Sequence, residues 1–230
     1  MKKEVIVLSL GGSLIIPESG IDTKYLKEFK KTILNNTKRY KFIVVCGGGS
    51  IARKYIRALN EVGMNETFQS FTGISATRMN ARFMSYFFRQ NQERGIPHKM
   101  EELKEYVKKF DVVFCGALEY KPHQTSDSTS AQIAKEFKTI FINLTDVAGF
   151  YDKNPKKYKD AKFIPEISWK DFYKITNKEK FKPGQHLVID QTASKIIMDE
   201  KITSYILGKD MKQLDNLLKC KKFKGTKISD

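Results

Sequence analysis

The chain has 230 residues, of which 42 are Lys or Arg and 26 are Asp or Glu, so its formal net charge is +16. Hydrophobic residues make up 40% and aromatics 12%, enough to bury a core, which excludes wholesale disorder. No apolar run approaches the roughly 20 residues that span a bilayer. The apolar run at 5–10 meets Gly11-Gly12-Ser13 too early for a secretory leader, so none is expected. Cys46, Cys115 and Cys220 show no paired spacing, and a reduced cytosolic protein without a disulfide framework or zinc site is expected. A basic surface attracts phosphate, which makes nucleic acid a first candidate partner. All the arginines, however, fall between Arg39 and Arg94, and the rest of the chain carries only lysine. Arginine's planar fork suits paired contacts to phosphate, whereas scattered lysines read as a solvated surface.

In chain order, residues 5–10 read as a buried strand. Residues 23–37 read as a helix, with Leu26, Phe29, Ile33 and Leu34 on one face and Asp22 or Thr23 as its N-cap. A strand at 42–46 leads into a helix at 51–62. A long helix is expected over 75–92, with Met79, Phe83 and Phe87 as its apolar positions. A strand at 111–115, a helix at 129–137 and a strand at 139–144 follow. Residues 151–162 are polar, with a turn at Asn154-Pro155. Next come a helix at 169–178, a loop at Lys182-Pro183-Gly184, a helix at 193–201, a strand at 204–207 and a helix at 209–218. This βαβα order predicts an α/β fold with helices on both faces of a mainly parallel sheet. No linker, repeat or low-complexity tract divides the chain.

Two glycine turns follow strands: Gly11-Gly12-Ser13, and Gly47-Gly48-Gly49-Ser50, which opens directly into a helix. Strand, glycines and helix together present backbone N–H groups and a positive helix end to an anion. Tight turning alone would also explain either one. Two in one α/β chain favour phosphate binding, because ligands of parallel sheets collect at the carboxyl ends of strands. There is no Gly-x4-Gly-Lys-Ser/Thr motif. The Gly47–Ala52 stretch fits Gly-x-Gly-x-x-Ala, but Glu66, the acid at the expected offset, is not at the end of a strand, so a dinucleotide site is disfavoured.

Six segments in order resemble the amino-acid-kinase superfamily, and within it the UMP kinases of archaeal type. They are Leu10-Gly11-Gly12-Ser13; the run Val44 to Tyr55 with Gly47-Gly48-Gly49 and Arg53; Gly73 to Ala81; Gln124 to Ala131 with Thr125-Ser126-Asp127; Leu144 to Tyr151 with Thr145-Asp146-Val147-Ala148-Gly149; and Val188-Ile189-Asp190 with Ala193-Ser194-Lys195. The resemblance implies an αβα sandwich around one sheet of about eight strands. It implies a single domain, 1–230, with an acceptor lobe at about 1–125 and an ATP lobe at about 126–230. The implied reaction moves the ATP γ-phosphoryl group to UMP to give UDP, in pyrimidine nucleotide biosynthesis in the cytoplasm. Magnesium would assist, and the chain would form a homo-oligomer, a hexamer by resemblance. Neither a specific nucleic acid nor a membrane is expected as partner.

The resemblance also implies a role for each of these residues. Gly11, Gly12 and Asp127 act at the transferring group. Gly47, Gly48, Gly49, Arg53, Thr125 and Ser126 bind UMP. Ser13, Thr145, Asp146, Gly149 and Tyr151 face ATP, with Tyr151 near the adenine. Backbone N–H groups of Gly11, Gly12, Gly48 and Gly49 are expected as donors. Asp127 orients catalytic groups or magnesium; no metal ligand is assigned. Bland readings stand beside these. Arg53 could be a solvent-facing helix residue, Thr125 and Ser126 could cap the next helix, and Asp127 could be its N-cap. Arg78 and Asn80 neighbour the acceptor without an assigned role, Trp169 is read as core or interface, and His98, His123 and His186 receive none. The chain departs from the family pattern at Ser9, where lysine is usual, and at Ala148, Asn154, Gln69-Ser70 and Gln191; its loop at 118–121 is about two residues longer. A superfamily member that binds nucleotide or anion without efficient catalysis is the alternative function. A kinase acting on a carboxylate or carbamate is another.

Overall fold

A computed structural model describes residues 3–90, 95–120, 125–177 and 188–230. The expected loop at Lys182-Pro183-Gly184, together with His123 and His186, lies outside the described residues. The central strand is β1 (Glu4–Leu10), paired in parallel with β2 (Tyr40–Cys46) on one side and β4 (Phe141–Leu144) on the other. Beyond β2 lies β3 (Val112–Cys115) and beyond β4 lies β8 (Ser204–Leu207), both parallel. The edge is completed by β9 (Thr226–Ile228), antiparallel to β8, and β7 (Glu166–Ile167), giving the order β3-β2-β1-β4-β8-β9-β7. That is a seven-stranded sheet among the described residues, against the eight or so expected. A separate two-stranded hairpin joins β5 (Phe150–Tyr151) to β6 (Phe163–Ile164) within the stretch that reads only as polar in sequence.

Strand residues alternate between the two faces. Ile6, Leu8 and Leu10 pack with Phe42, Val44, Ile142 and Leu144 into one core. It is covered by α1 (Gly12–Ile15), α2 (Thr23–Asn36), α4 (Glu66–Phe87) and α9 (Met211–Leu218). Val7, Ile43, Val45 and Phe141 point the other way. They meet α5 (Met100–Lys109), α6 (Ser126–Phe137), α7 (Trp169–Thr176) and α8 (Gln191–Asp199). The αβα sandwich is therefore as expected. Asp22 caps α2 by accepting from Tyr25 N at 3.0 Å, and Asn65 caps α4 by accepting from Phe68 N at 3.1 Å.

Two helices differ from the sequence reading. The long helix α4 begins nine residues before the expected 75 and ends at Phe87. Met79, expected on its apolar face, is 62% exposed, and the buried face is instead Ala76, Thr77, Asn80, Ala81, Met84 and Ser85. Small and polar residues let this helix lie close to the loops beside it, which is why its apolar period is misleading. α5 was not anticipated. Only Leu103 and Val107 are buried in it, and Glu101 and Glu102 at its start and Lys108 and Lys109 at its end complement the helix dipole. Trp169 opens α7 and packs against the second core, its Nε1 donating to Ile202 O at 2.9 Å. The three cysteines are free thiols. Burial raises Cys46 well above the ordinary thiol range and pushes Cys115 up to about 12.

The two glycine turns interlock. α3 (Gly49–Glu61) starts inside the second turn, with Gly49 at φ +67°. A Cβ on Gly12 would stand 2.0 Å from Gly49 N, and one on Gly47 would stand 2.4 Å from Gly12 N. The backbones after β1 and β2 thus touch directly, at a separation no side chain permits. Gly73, inside α4, is different: a Cβ there would meet only Ile56 Cδ1 at 3.5 Å, ordinary contact. Gly12→Ala is expected to cost about 1–3 kcal/mol or more, roughly 2–10 °C in melting midpoint. Gly73→Ala should raise the midpoint slightly, since glycine in a helix interior costs about 0.5–1 kcal/mol relative to alanine. Thermal unfolding of the two variants checks both signs.

Candidate active site

A cleft opens at the carboxyl ends of β1, β2 and β4, where the two turns meet. Gly11, Gly12, Ser13, Gly47, Gly48 and Gly49 line its floor. Gly12 and Gly49 are the first residues of α1 and α3, whose N–H groups precede the helical ladders and so remain as donors. Gly11 corrects the expectation. Its N–H donates to Leu144 O at 3.0 Å, so it ties the turn to β4 and is not a donor for an anion. Gly47 N–H is likewise used, on Leu10 O at 2.9 Å.

One wall comes from α3 and α4: Ala52, Arg53 and Ile56, then Ser70, Gly73, Ile74 and Thr77. Arg53 points at the cleft and pairs with Glu18 Oε1 at 3.2 Å. This pair is exposed, and the guanidinium holds the Glu18 carboxyl below its ordinary value. Solvent screens such an exposed pair, so a phosphate can replace the carboxylate readily. Asn80, buried, donates from Nδ2 to Gly47 O at 2.7 Å and so fixes the second glycine turn. Arg78 does not reach the cleft. It donates from Nε to Ala117 O at 3.1 Å and from Nη2 to Leu118 O, securing the loop after β3.

The opposite wall is the start of α6. Thr125 is its N-cap: its hydroxyl accepts from Asp127 N at 3.0 Å, and its own N–H donates to Ser128 Oγ at 2.7 Å. The capping reading of Thr125 is therefore correct, and Thr125 lines the cleft as well, with Ser126. Asp127 is not the cap. Its carboxylate accepts from Ser9 Oγ at 2.8 Å, at the foot of the cleft. Asp190, buried, stands beside it. It accepts from Thr125 Oγ1 at 2.5 Å and from Ala193 N at 2.9 Å, capping α8. Sequence reasoning gave Asp190 no role, although Asp before a helical run is a start signal. Asn143 and Thr145, at the end of β4, complete the floor.

Burial and the neighbouring Asp190 raise Asp127 to about 7, against a small lowering by the Ser9 hydroxyl. Asp190 is raised too, chiefly by burial. Among the described residues no Lys or Arg pairs with either carboxylate, and no group of three or more His, Cys, Asp or Glu forms a metal cage.

Three expected residues stand apart from this lining. Asp146 is ion-paired with Lys156. Gly149 lies where a Cβ would meet Phe163 Cε2 and Thr226 Oγ1, each at 2.7 Å, so it lets the β5–β6 hairpin dock on β9. Tyr151 stacks edge-on against Phe163 in that hairpin. They follow in sequence from Thr145 at the cleft floor. His98, at the mouth of α5, is outside the lining.

The chain matches the family model "Amino acid kinase family" over residues 4–208. It is 36% identical over 203 residues to a uridylate kinase of Archaeoglobus fulgidus, covering 88% of this chain and 90% of that one. It is 34% identical over 228 residues to a uridylate kinase of Thermoplasma volcanium, covering 99% and 98%. The crystal structure of uridylate kinase from Archaeoglobus fulgidus superposes with a TM-score of 0.82 at 32% identity, over 97% of this chain and 99% of that one.

A stability prediction follows from Asp127. Because its folded value lies above that of an unfolded aspartate, the native state loses stability as pH rises from about 4 to about 7 and no more above that. Asp127→Asn removes that cost. Its melting midpoint, relative to the parent without nucleotide or metal, should gain progressively across that window and level off above it. Thermal melts from pH 4 to 9 read this out; a gain that shrinks as pH rises contradicts the assignment.

Proposed function

The chain belongs to the amino acid kinase family, and from that premise we propose that it transfers the γ-phosphoryl group of ATP to UMP, giving UDP and ADP. The observation that carries this reading is a single cleft joining both glycine turns, Arg53 and the first turn of α6. Phosphoryl transfer is mostly positioning and charge neutralisation, and each of these elements supplies one or the other. The attacking oxygen is already present on the UMP phosphate, so no general base is needed.

Arg53, with Thr125 and Ser126, holds the acceptor phosphate, and Gly48 and Gly49 add N–H groups. Gly12 donates to the phosphoryl group in flight. Ser13 and Thr145 face the ATP phosphates, and Asp146, Gly149 and Tyr151 border the nucleoside along the hairpin side. The acceptor lobe is then about 1–125 and the ATP lobe about 126–230. Magnesium fits the donor set: Asp127 and Asp190 are hard oxygen donors without a cationic partner among the described residues. When bound, the ion neutralises phosphate charge. The family's usual lysine is absent at Ser9, and the non-catalytic alternative draws no support from relatives named as uridylate kinases.

The reaction would serve pyrimidine nucleotide synthesis in the cytoplasm, in an assembly of identical chains. Exposed Tyr55, Phe68, Phe71 and Met79 on α3 and α4 give such an assembly an apolar face to cover. Light scattering at micromolar concentration should show an oligomer, and a hexamer would fit the resemblance; a monomer overturns it.

The central test is ADP formation from magnesium-ATP with a panel of nucleoside monophosphates. UMP should be strongly preferred. No ADP above background with UMP would overturn the proposal. Arg53→Ala should weaken UMP by roughly 10- to 100-fold, the worth of a charged hydrogen-bonded contact, and leave ATP affinity within about threefold. Equal losses for both nucleotides would remove Arg53 from the acceptor site.

A further inference from the structure

Ser9 is a polar side chain buried in β1 with no exposed area, on the face of the sheet that carries Val7 and opposite to that of Leu8 and Leu10. A hydroxyl in that setting is costly unless bonded. Its bond crosses the fold to Asp127 Oδ1, 118 residues away in sequence. Its register neighbour on β4 is Asn143, also buried and polar, and the two side chains project from the same face of the sheet. Asn143 Nδ2 donates to Val188 O, two residues before Asp190. Adjacent strands therefore carry one hydroxyl aimed at the first carboxylate and one amide aimed at the segment that bears the second. Thr125 Oγ1 closes the arrangement on Asp190 at 2.5 Å.

We propose that Ser9 is a positioning residue for phosphoryl transfer: the rigid central strand uses its hydroxyl to hold the Asp127 carboxylate in place beside Asp190. Two carboxylates side by side repel, and neither has a Lys or Arg partner among the described residues. An unheld Asp127 at the start of α6 would turn away from Asp190 towards the open cleft. The strand cannot follow it, because β1 is fixed on both sides by ladders to β2 and β4. Ser9 touches no reacting group; it acts through Asp127. This inference rests on the UMP kinase reading for its kinetic consequence but not for the contact itself.

The test is a double-mutant cycle with Ser9→Ala, Ser9→Thr, Asp127→Asn and the combination of Ser9→Ala with Asp127→Asn. Ser9→Ala should lower kcat by about 10- to 100-fold, the scale of a misplaced catalytic group, while KM for UMP stays within about threefold. Ser9→Thr, which keeps the hydroxyl, should recover most of the loss. In the Asp127→Asn background, Ser9→Ala should add little. Calorimetric UMP binding, unchanged in Ser9→Ala, shows that the cleft is intact. A kcat within twofold of the parent, or Ser9→Ala losses that multiply fully with Asp127→Asn, overturns the proposal. Melting midpoints of the same four proteins read the contact separately: non-additive shifts support it and additive shifts overturn it. A parent protein inactive on UMP would instead overturn the function reading, with the contact still tested by the midpoints.

Discussion

The constraint on which the rest depends is the contact between two backbones at the ends of β1 and β2. With Gly49 N only 2.0 Å from where a Cβ of Gly12 would be, the turns can approach only if glycine occupies both. That approach brings the starts of α1 and α3 side by side, with Gly12 and Gly49 ahead of their helical ladders and Ser50 N–H donating to Ile16 O at 3.1 Å. It also explains the surrounding hydrogen bonds. Gly11 N–H goes to Leu144 O, Gly47 N–H to Leu10 O, and Asn80 to Gly47 O, so three elements clamp the pair of turns. What the glycines visibly do is let the chain approach itself.

The described part of the cleft that results is not strongly basic. Among the described residues its lining contains one arginine, Arg53, and two carboxylates, Asp127 and Asp190. Phosphate in such a site is held by oriented N–H groups and helix ends rather than by net charge, and the carboxylates favour a divalent cation arriving with the nucleotide. Arg53 in turn sits against Glu18, a weak surface partner that occupies the guanidinium without locking it. Among the described residues the site thus combines backbone N–H groups at two helix starts, one exposed guanidinium and a buried pair of carboxylates, parts that the proposed phosphoryl transfer would use.

The fold was legible because its strands are short apolar runs set between turns, and because both glycine motifs mark strand ends. The seven-stranded sheet lacks only detail from the sequence reading: β7 and β9 are two- and three-residue strands, too short for any alternation to register. α4 misled because its buried face is Thr77, Asn80 and Ala81, while Met79 faces out. Apolar periodicity finds a helix that packs by area, and α4 packs by closeness. The glycine turns of the candidate site were legible from their place after β1 and β2, whereas Arg53 inside α3 and Thr125 at the start of α6 each have ordinary helix uses and entered through the family resemblance. Asp190 and the Ser9 contact were not, since their meaning lies in pairings 65 and 118 residues apart.

The net charge of +16 takes its meaning from the same distances. Lysines account for most of the ion pairs along the surface, as with Lys104–Glu136, Lys135–Glu200 and Lys219–Asp215, and none of these three reaches the cleft. Such charges raise the field around the whole molecule and draw anions towards it. They cannot choose among anions, because a point charge on a flexible stem has no fixed geometry. Selection needs donors that do not move, and the backbone groups locked by glycine contact are fixed in that way. Arg53, which lines the same cleft, is rooted one turn into α3, on the helix whose start the contact itself fixes.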